Sequence, residues 1–174
     1  IKINRSLFLH GGISPEILGT SISEINDRIR SDLGGALEEV LGLSELQSGP
    51  LWYRGLANGD EALEQAHVEA VLAFYDVDRI VVGHTPGLGT IVPRFGAKVL
   101  VIDTGISAYY GGHMASLLIE GDKLIALQNG MARPVPLGEE PLLPYFRSIA
   151  EQESIPAALQ NLIELLSIAP QLSN

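Results

Sequence analysis

The stretch RSLFLHGGISPE, residues 5–16, decides the fold, because it leads an apolar segment directly into His10 and two glycines. Leu7, Phe8 and Leu9 form a continuous apolar run, which is typical of a strand buried on both faces. The glycines allow the backbone to bend freely where the strand ends. An imidazole in this position has the geometry that a metal or phosphate site needs.

A second segment repeats the arrangement. RIVVGHTP, residues 79–86, places His84 directly after another short apolar run. Short runs rich in β-branched residues indicate buried strands. Because two strands end in histidine, we expect both imidazoles to belong to one shared site.

Helices and strands are predicted on either side of these segments. Ser21 and Glu24 form a capping box that opens a helix, expected to resume over residues 36–41 after two glycines. Asp60 is expected to cap a second, strongly apolar helix. The remaining predictions are a strand at 99–102, a hairpin of 114–119 with 124–127, a surface segment over 130–145 and a final helix from near Ser154. This order favours a layered α/β domain with helices covering a sheet.

Composition limits the classes of function. The chain has 174 residues, and its apolar content of 46% is enough for a core. Eleven basic and 21 acidic residues give a formal charge of -10, which disfavours a nucleic-acid partner. The absence of cysteine from the sequence excludes disulfides and thiolate metal sites. We expect a soluble chain with no membrane segment, leave the compartment open, and expect further sequence before Ile1.

Four motifs occur in a fixed order: HGGISPE, WYRG, VVGHTP, and IDTGIS followed by YYGG. Over residues 5–128 they resemble the second half of a calcineurin-like metallophosphoesterase, in the Shewanella-like bacterial branch near the phosphoprotein phosphatases. The resemblance implies an α/β fold built as a layered β-sandwich flanked by helices. Residues 1–145 would then be the C-terminal half of that domain, and 146–174 a C-terminal helical extension.

The resemblance also implies a metal centre. Such enzymes hold two divalent ions, here Mn, Fe or Zn, which clamp the phosphate while a bridging water attacks phosphorus. His10 and His84 would be two ligands of the same ion. Neutral imidazole suits these metals, and the sequence does not choose among them.

Substrate contacts follow from the same resemblance. Arg54 of WYRG would be the catalytic phosphate clamp, since a guanidinium presents a planar fork of donors to phosphate oxygens. Gly11 would let the backbone approach the phosphate, and Tyr109 or Tyr110 would line the pocket, with the choice between the two tyrosines open. We expect Asp103 to orient a histidine or to accept from loop amides.

Parts of the family pattern are absent. The segments Asp-x-His, Gly-Asp-x-x-Asp-Arg-Gly and Gly-Asn-His-Glu do not occur in the sequence. They would supply the bridging carboxylate and most of both coordination spheres. We therefore expect the chain to ligate metal incompletely, to be inactive alone, and to need a missing N-terminal half as a partner alongside its phosphorylated substrate.

Hydrolysis of phosphomonoesters, such as phosphorylated protein side chains, is the function that the motifs favour. A non-catalytic fragment or degenerate homologue acting as a binding module is the alternative. A nucleotide polyphosphate or a cyclic diester is a third substrate class, which Pro86 disfavours because many diesterase relatives have histidine there. An α/β-hydrolase is excluded, since Ser14 and Ser107 each lack the second glycine of a nucleophile elbow. His67 and His113 are interpreted as surface residues.

Overall fold

The computed structural model describes residues 1–35, 42–151 and 155–168. They form two compact units. The first consists of Ile1–Thr85 with Lys98–Leu100, and the second of Pro86–Ala97 with the described residues from Val101 onward.

Short strands and five helices make up the described chain. The strands are β1 (Lys2–Ile3), β2 (Ser6–Leu9), β3 (Arg79–Val82), β4 (Val92–Arg94), β5 (Val99–Val101), β6 (Ala115–Glu120), β7 (Lys123–Gln128) and β8 (Met131–Pro134). The helices are α1 (Ile22–Gly34), α2 (Gly55–Asn58), α3 (Glu61–Tyr75), α4 (Leu142–Ala150) and α5 (Ala157–Ile168), and a 3₁₀ turn spans Ala108–Tyr110.

The first unit is organised around two parallel strands. β2 pairs with β3 in parallel, with Leu9 opposite Val82, while β1 adds to the other side of β2 in the antiparallel sense. The sheet order through this unit is β1-β2-β3-β5. Parallel neighbours need a long crossover, and residues 10–78 provide it through α1, α2 and α3.

Capping and burial explain the two long helices of the crossover. Ser21 Oγ accepts from Glu24 N at 3.2 Å, and Asp60 caps α3 through the amides of Ala62 and Leu63, as the sequence predicted. α3 buries Val68 and Val71 completely. The helices thus cover a sheet whose strand residues are also fully buried: Leu7, Ile80, Val82 and Val99 are at 0% exposure.

The β-sandwich expected from the motif resemblance is wrong. The strands that carry the two histidines belong to a mixed sheet with a parallel pair at its centre, covered by crossover helices. A continuous apolar strand does not distinguish these architectures, because both bury the strand on its two faces. The predicted domain boundary near residue 145 stays a prediction.

The second unit contains an antiparallel sheet of three strands in the order β6-β7-β8. The predicted hairpin is confirmed: Glu120 pairs with Lys123, and Gly121 adopts the left-handed φ of +58° that the turn requires. Residues 130–145 were wrongly interpreted as a surface segment, since β8 pairs with β7 and its Arg133 is 9% exposed.

Two further predictions concern helices. Residues 36–41 and Ser154, where a helix was expected to resume and another to begin, lie outside the described residues. α5 begins at Ala157 and buries Leu159 completely. Within the described ranges, no helix is long and apolar enough to cross a membrane.

Candidate functional site

The two predicted histidines lie side by side. His10 directly follows β2, and His84 lies two residues after β3, so both extend from the carboxyl ends of neighbouring parallel strands. Their ring centroids are 4.7 Å apart, with an angle of 56° between the ring planes. The Gly83 amide donates to the His10 carbonyl at 2.9 Å, which joins the two strand ends directly. Sheet register therefore fixes this pair.

The backbone at His84 is unusual. His84 has a φ of +61°, and the Thr85 amide donates to the Gly83 carbonyl at 2.7 Å across it. A non-glycine residue in this region is held there at a cost of order 1–3 kcal/mol, and such residues cluster at ligand and active sites. The tight turn thus lies at the residue whose imidazole packs against His10.

Arg54 completes a cluster with the histidines. Its Nη2 donates to Nε2 of His84 at 3.1 Å. Because a guanidinium can only donate, Nε2 of His84 accepts, and the neutral ring carries its proton on Nδ1. The edge of the Trp52 ring also packs against His84, at 5.3 Å between centroids. One cation and two imidazoles, with His10 and Arg54 exposed and His84 half-buried, form a site suited to an anion such as phosphate.

Close backbone contact explains the glycine pair after His10. The Gly11 and Gly12 amides both donate to the Pro50 carbonyl, at 2.9 and 3.2 Å. A Cβ at Gly11 would lie 2.9 Å from both the Pro50 oxygen and the Leu51 carbonyl carbon. The loop after β2 thus lies directly against the loop that leads to Arg54. The Gly11 amide is already used in that contact, so its expected role toward substrate stays a prediction.

Sequence reasoning missed a set of polar contacts between helix α3 and the loops of the site. Nε2 of His67 on α3 donates to the Ile13 carbonyl at 2.7 Å, and Tyr53 Oη donates to Glu64 Oε2 at 3.0 Å. Burial, followed by the neighbouring carboxylate of Glu64, raises the pKa of Tyr53. The interpretation of His67 as a solvated helix residue is wrong. Its position on a helix with acidic neighbours gave no signal of the loop that folds onto it.

The predicted tyrosines lie in the second unit. Tyr109 and Tyr110 occupy the 3₁₀ turn, with 87% and 55% of their surface exposed, and pack edge-on against each other. Asp103 Oδ1 accepts from the Gly105 amide, which is the loop contact expected of it. The substrate role of the tyrosines stays a prediction.

The described side chains offer few metal ligands. No group of three or more histidine, cysteine, aspartate or glutamate residues able to hold an ion occurs in the described ranges. His10 and His84 could give two nitrogen ligands, fewer than the four that zinc takes in structural sites. The Nε2 lone pair of His84, which would bind a cation, faces the Arg54 guanidinium.

The fold of this chain is similar to that of solved phosphatases. Crystal structures of cold-active protein tyrosine phosphatases, one of them from a psychrophilic Shewanella species, match it at 29% identity, with a TM-score of 0.67 over 77% of this chain. A mutant form of a cold-active protein tyrosine phosphatase matches equally well. The chain spans only 40–41% of the length of those structures.

Comparison with known sequences finds a relative of this chain but does not assign it to a family. An uncharacterized protein of Schizosaccharomyces pombe is 36% identical over 125 residues, which are 66% of this chain and 36% of that protein. No protein-family model matches the chain.

These comparisons correct the family inferred from the motifs. The matching structures are cold-active protein tyrosine phosphatases, so the resemblance to calcineurin-like metallophosphoesterases is wrong. The match supports phosphoester hydrolysis in general. It gives no support to a pair of metal ions. Four motifs in order were evidence for phosphate chemistry and were not specific enough to name the family.

Proposed function

We propose that this chain supplies the phosphate-binding part of a phosphatase that hydrolyses phosphomonoesters, with phosphorylated protein side chains as substrates. The observation that carries this proposal is the convergence of His10, His84 and Arg54 at the carboxyl ends of two parallel strands. Such strand ends are the usual place for ligands in open α/β sheets. The matching structures are those of protein tyrosine phosphatases, which supports the substrate class.

Arg54 is proposed to bind the phosphoryl group. A guanidinium carries five N–H donors, one of which is directed at His84, so others can meet phosphate oxygens. Negative charge on those oxygens is stabilised in place without further reorganisation. Trp52 and His84 pack against each other beside it, which limits the positions that the guanidinium can take.

The nucleophile is not a thiolate of this chain, because the sequence has no cysteine. We propose that His10 and His84 hold one divalent ion, of Mn, Fe or Zn, once the Arg54 guanidinium turns from Nε2 of His84 toward the phosphate. The other ligands of that ion would come from outside the described residues, as a missing N-terminal half would provide. Such an ion would supply an activated water and neutralise phosphate charge. For the second ion expected from the motifs, the described residues contain no group of three or more potential ligands.

Hydrolysis of p-nitrophenyl phosphate and of a phosphotyrosine peptide by the intact protein tests the proposal, with and without added Mn²⁺. We expect His10→Ala, His84→Ala and Arg54→Ala each to lower kcat/KM by on the order of 100-fold. A matched control is His113→Ala, which removes a histidine from the second unit and should leave the rate unchanged. Metal content by mass spectrometry should fall with the two histidine variants and persist in Arg54→Ala.

Two outcomes would change the conclusion. Activity that survives all three substitutions would show that the cluster is not the phosphate site. Tight binding of inorganic phosphate without hydrolysis in any metal would favour the binding module instead. The short span of the chain against the matching phosphatases is the observation that keeps this second function open.

A further inference from the structure

We propose that Tyr53, Glu64 and His67, here called the α3 anchor, are positioning residues that hold the two loops of the site against helix α3. One loop carries His10 and the other carries Arg54. The inference rests on the proposed function of these loops. It states that residues that do not touch the substrate set the positions of His10 and Arg54.

His67 holds the first loop. Its Nε2 donates to the Ile13 carbonyl at 2.7 Å, across 54 residues of sequence. Ile13 is 1% exposed, so its carbonyl depends on a protein donor. Ile13 lies three residues after His10, and the intervening glycines add no side-chain packing of their own. The His67 bond therefore joins this stretch, whose Gly11 and Gly12 amides already bond Pro50, to helix α3.

Tyr53 and Glu64 hold the second loop. Tyr53 directly precedes Arg54, and its hydroxyl donates to Glu64 one turn before His67 on α3. Arg54 itself is the N-cap residue of α2, and its side chain makes no capping hydrogen bond. The Tyr53 ring thus fixes the backbone from which the guanidinium extends, while the guanidinium remains exposed to a ligand.

The two arms of the α3 anchor contact each other. The Tyr53 and His67 rings meet edge-on, with centroids 6.1 Å apart. A Cβ at Gly12 would lie 3.0 Å from the Tyr53 ring, so the first loop also rests on the second. One helix face therefore sets the separation of His10 from Arg54. A displacement of about 1 Å between such groups can lower a rate about 100-fold.

The test compares two tyrosines of similar structural role. Tyr53→Phe removes a hydroxyl that bonds Glu64, whereas Tyr75→Phe removes a hydroxyl of α3 that donates to the Thr20 carbonyl at 2.8 Å. Both variants should lose comparable thermal stability. We expect Tyr53→Phe alone to lower kcat/KM for p-nitrophenyl phosphate about tenfold, as outer-shell variants do, and to weaken binding of inorganic phosphate.

His67 is tested by rescue. His67→Leu removes the donor to Ile13, and His67→Gln keeps an N–H donor on a side chain of similar length. The leucine variant should lose activity about tenfold, and the glutamine variant should recover most of it. A role limited to folding would instead lower the melting temperature in both variants and leave kcat and KM of the folded protein unchanged.

A third readout separates this inference from the proposed function. NMR contacts between the Arg54 guanidinium and the His84 ring report position without any turnover. If no hydrolysis is found, the proposed function fails, yet loss of that contact in Tyr53→Phe and its survival in Tyr75→Phe still support positioning. Identical contacts and identical kinetics in the two tyrosine variants would overturn the α3 anchor.

Discussion

The strand ends that carry His10 and His84 differ sharply from the turn that carries Tyr109 and Tyr110. Both regions combine aromatic or imidazole side chains with glycines, and both were assigned to a phosphate pocket. The histidines follow paired strands whose ends are joined by the hydrogen bond from the Gly83 amide to the His10 carbonyl. The tyrosines lie on a single 3₁₀ turn, and Tyr109 is 87% exposed. Glycine beside a candidate functional side chain thus occurs both at a fixed strand end and in an exposed turn.

Sheet register accounts for the difference. In a parallel pair each residue is fixed opposite a partner, so side chains that follow the two strands are placed by many bonds at once. A short 3₁₀ turn has only its own few bonds, here Tyr110 N to Ser107 O at 2.9 Å and its neighbours. Placement by a sheet can be inferred from sequence order, whereas placement on an exposed turn cannot.

The largest expected effect separates the two regions directly. Arg54→Ala should lower kcat/KM for p-nitrophenyl phosphate by about 100- to 1,000-fold, since it removes a charged donor to the transition state. Tyr109→Phe and Tyr110→Phe should each change it less than about threefold, because exposed hydroxyls already bond water. Steady-state kinetics of the three variants measure this.

An Arg54→Lys variant sharpens the result. Lysine keeps the charge and loses the planar fork of donors. If kcat/KM partly recovers relative to Arg54→Ala, charge dominates; if it does not recover, the geometry of the fork dominates. A loss in Tyr110→Phe as large as that in Arg54→Ala would break the comparison and place the turn in the catalytic pocket.

The part of the site that could be predicted is the part that local sequence determines. Ser21 and Asp60 cap their helices where the pattern places them, and the apolar runs before His10 and His84 are strands. His67 could not be found, because its bond to Ile13 spans 54 residues and no periodicity encodes it. β8 was missed because Pro134 argues against a central strand, yet in the described part of the chain β8 is an edge strand beside β7, where proline is tolerated.

Gly11 tests whether close loop contact, rather than freedom of φ, is what the strand end requires. Gly11→Val would place a side chain against the Pro50 oxygen and the Leu51 carbonyl carbon, where even a Cβ lies only 2.9 Å away. Relief requires movement of the backbone, and we expect a loss of about 3 kcal/mol in the free energy of unfolding. Urea denaturation measures it.

Gly34 supplies the control for Gly11. Gly34 is the last residue of α1, and a Cβ there would meet nothing within 4 Å. Gly34→Ala should be neutral or stabilise the protein by up to about 1 kcal/mol, since alanine favours a helix. Equal destabilisation by both substitutions would show that the contact with Pro50 does not explain Gly11.

A buried tyrosine in the second unit contrasts with the exposed tyrosines of the 3₁₀ turn. Tyr145 on α4 lies in the same unit, and its hydroxyl donates to the Ile91 carbonyl at 2.8 Å. Burial raises the pKa of Tyr145 to about 12. An unfolded tyrosine titrates near 10, so this contribution is complete below about pH 10 and is lost between about pH 10 and 12, amounting to roughly 3 kcal/mol.

Alkaline denaturation curves test this assignment. Tyr145→Phe should be less stable than the parent at pH 7, because the Ile91 carbonyl loses its donor, and should lose less further stability above pH 10. Tyr109→Phe is the matched exposed control and should leave the pH dependence unchanged. Identical slopes in the parent and Tyr145→Phe would contradict burial of this hydroxyl.

The smallest expected effect concerns the opposite ends of the strands that carry the histidines. Arg5 precedes β2 and Asp78 precedes β3, and Arg5 Nε donates to Asp78 Oδ2 at 2.7 Å. This hydrogen bond holds the pKa of Asp78 below its ordinary value. The stability it contributes is therefore present above the ordinary carboxyl pKa and is lost as the pH falls through the lowered value. Both side chains are exposed, so solvent screens the pair.

Asp78→Asn should lower the urea midpoint slightly at pH 7, and the difference from the parent should vanish near the acid limit. Asp122→Asn, at the hairpin tip, is the surface control and should show no such convergence. Phosphate binding should not change in either variant, because the backbone pairing from Ser6 to Leu9 fixes the register without the ion pair. A weakened phosphate affinity in Asp78→Asn would show that the side-chain pair, rather than the ladder, aligns His10 with His84.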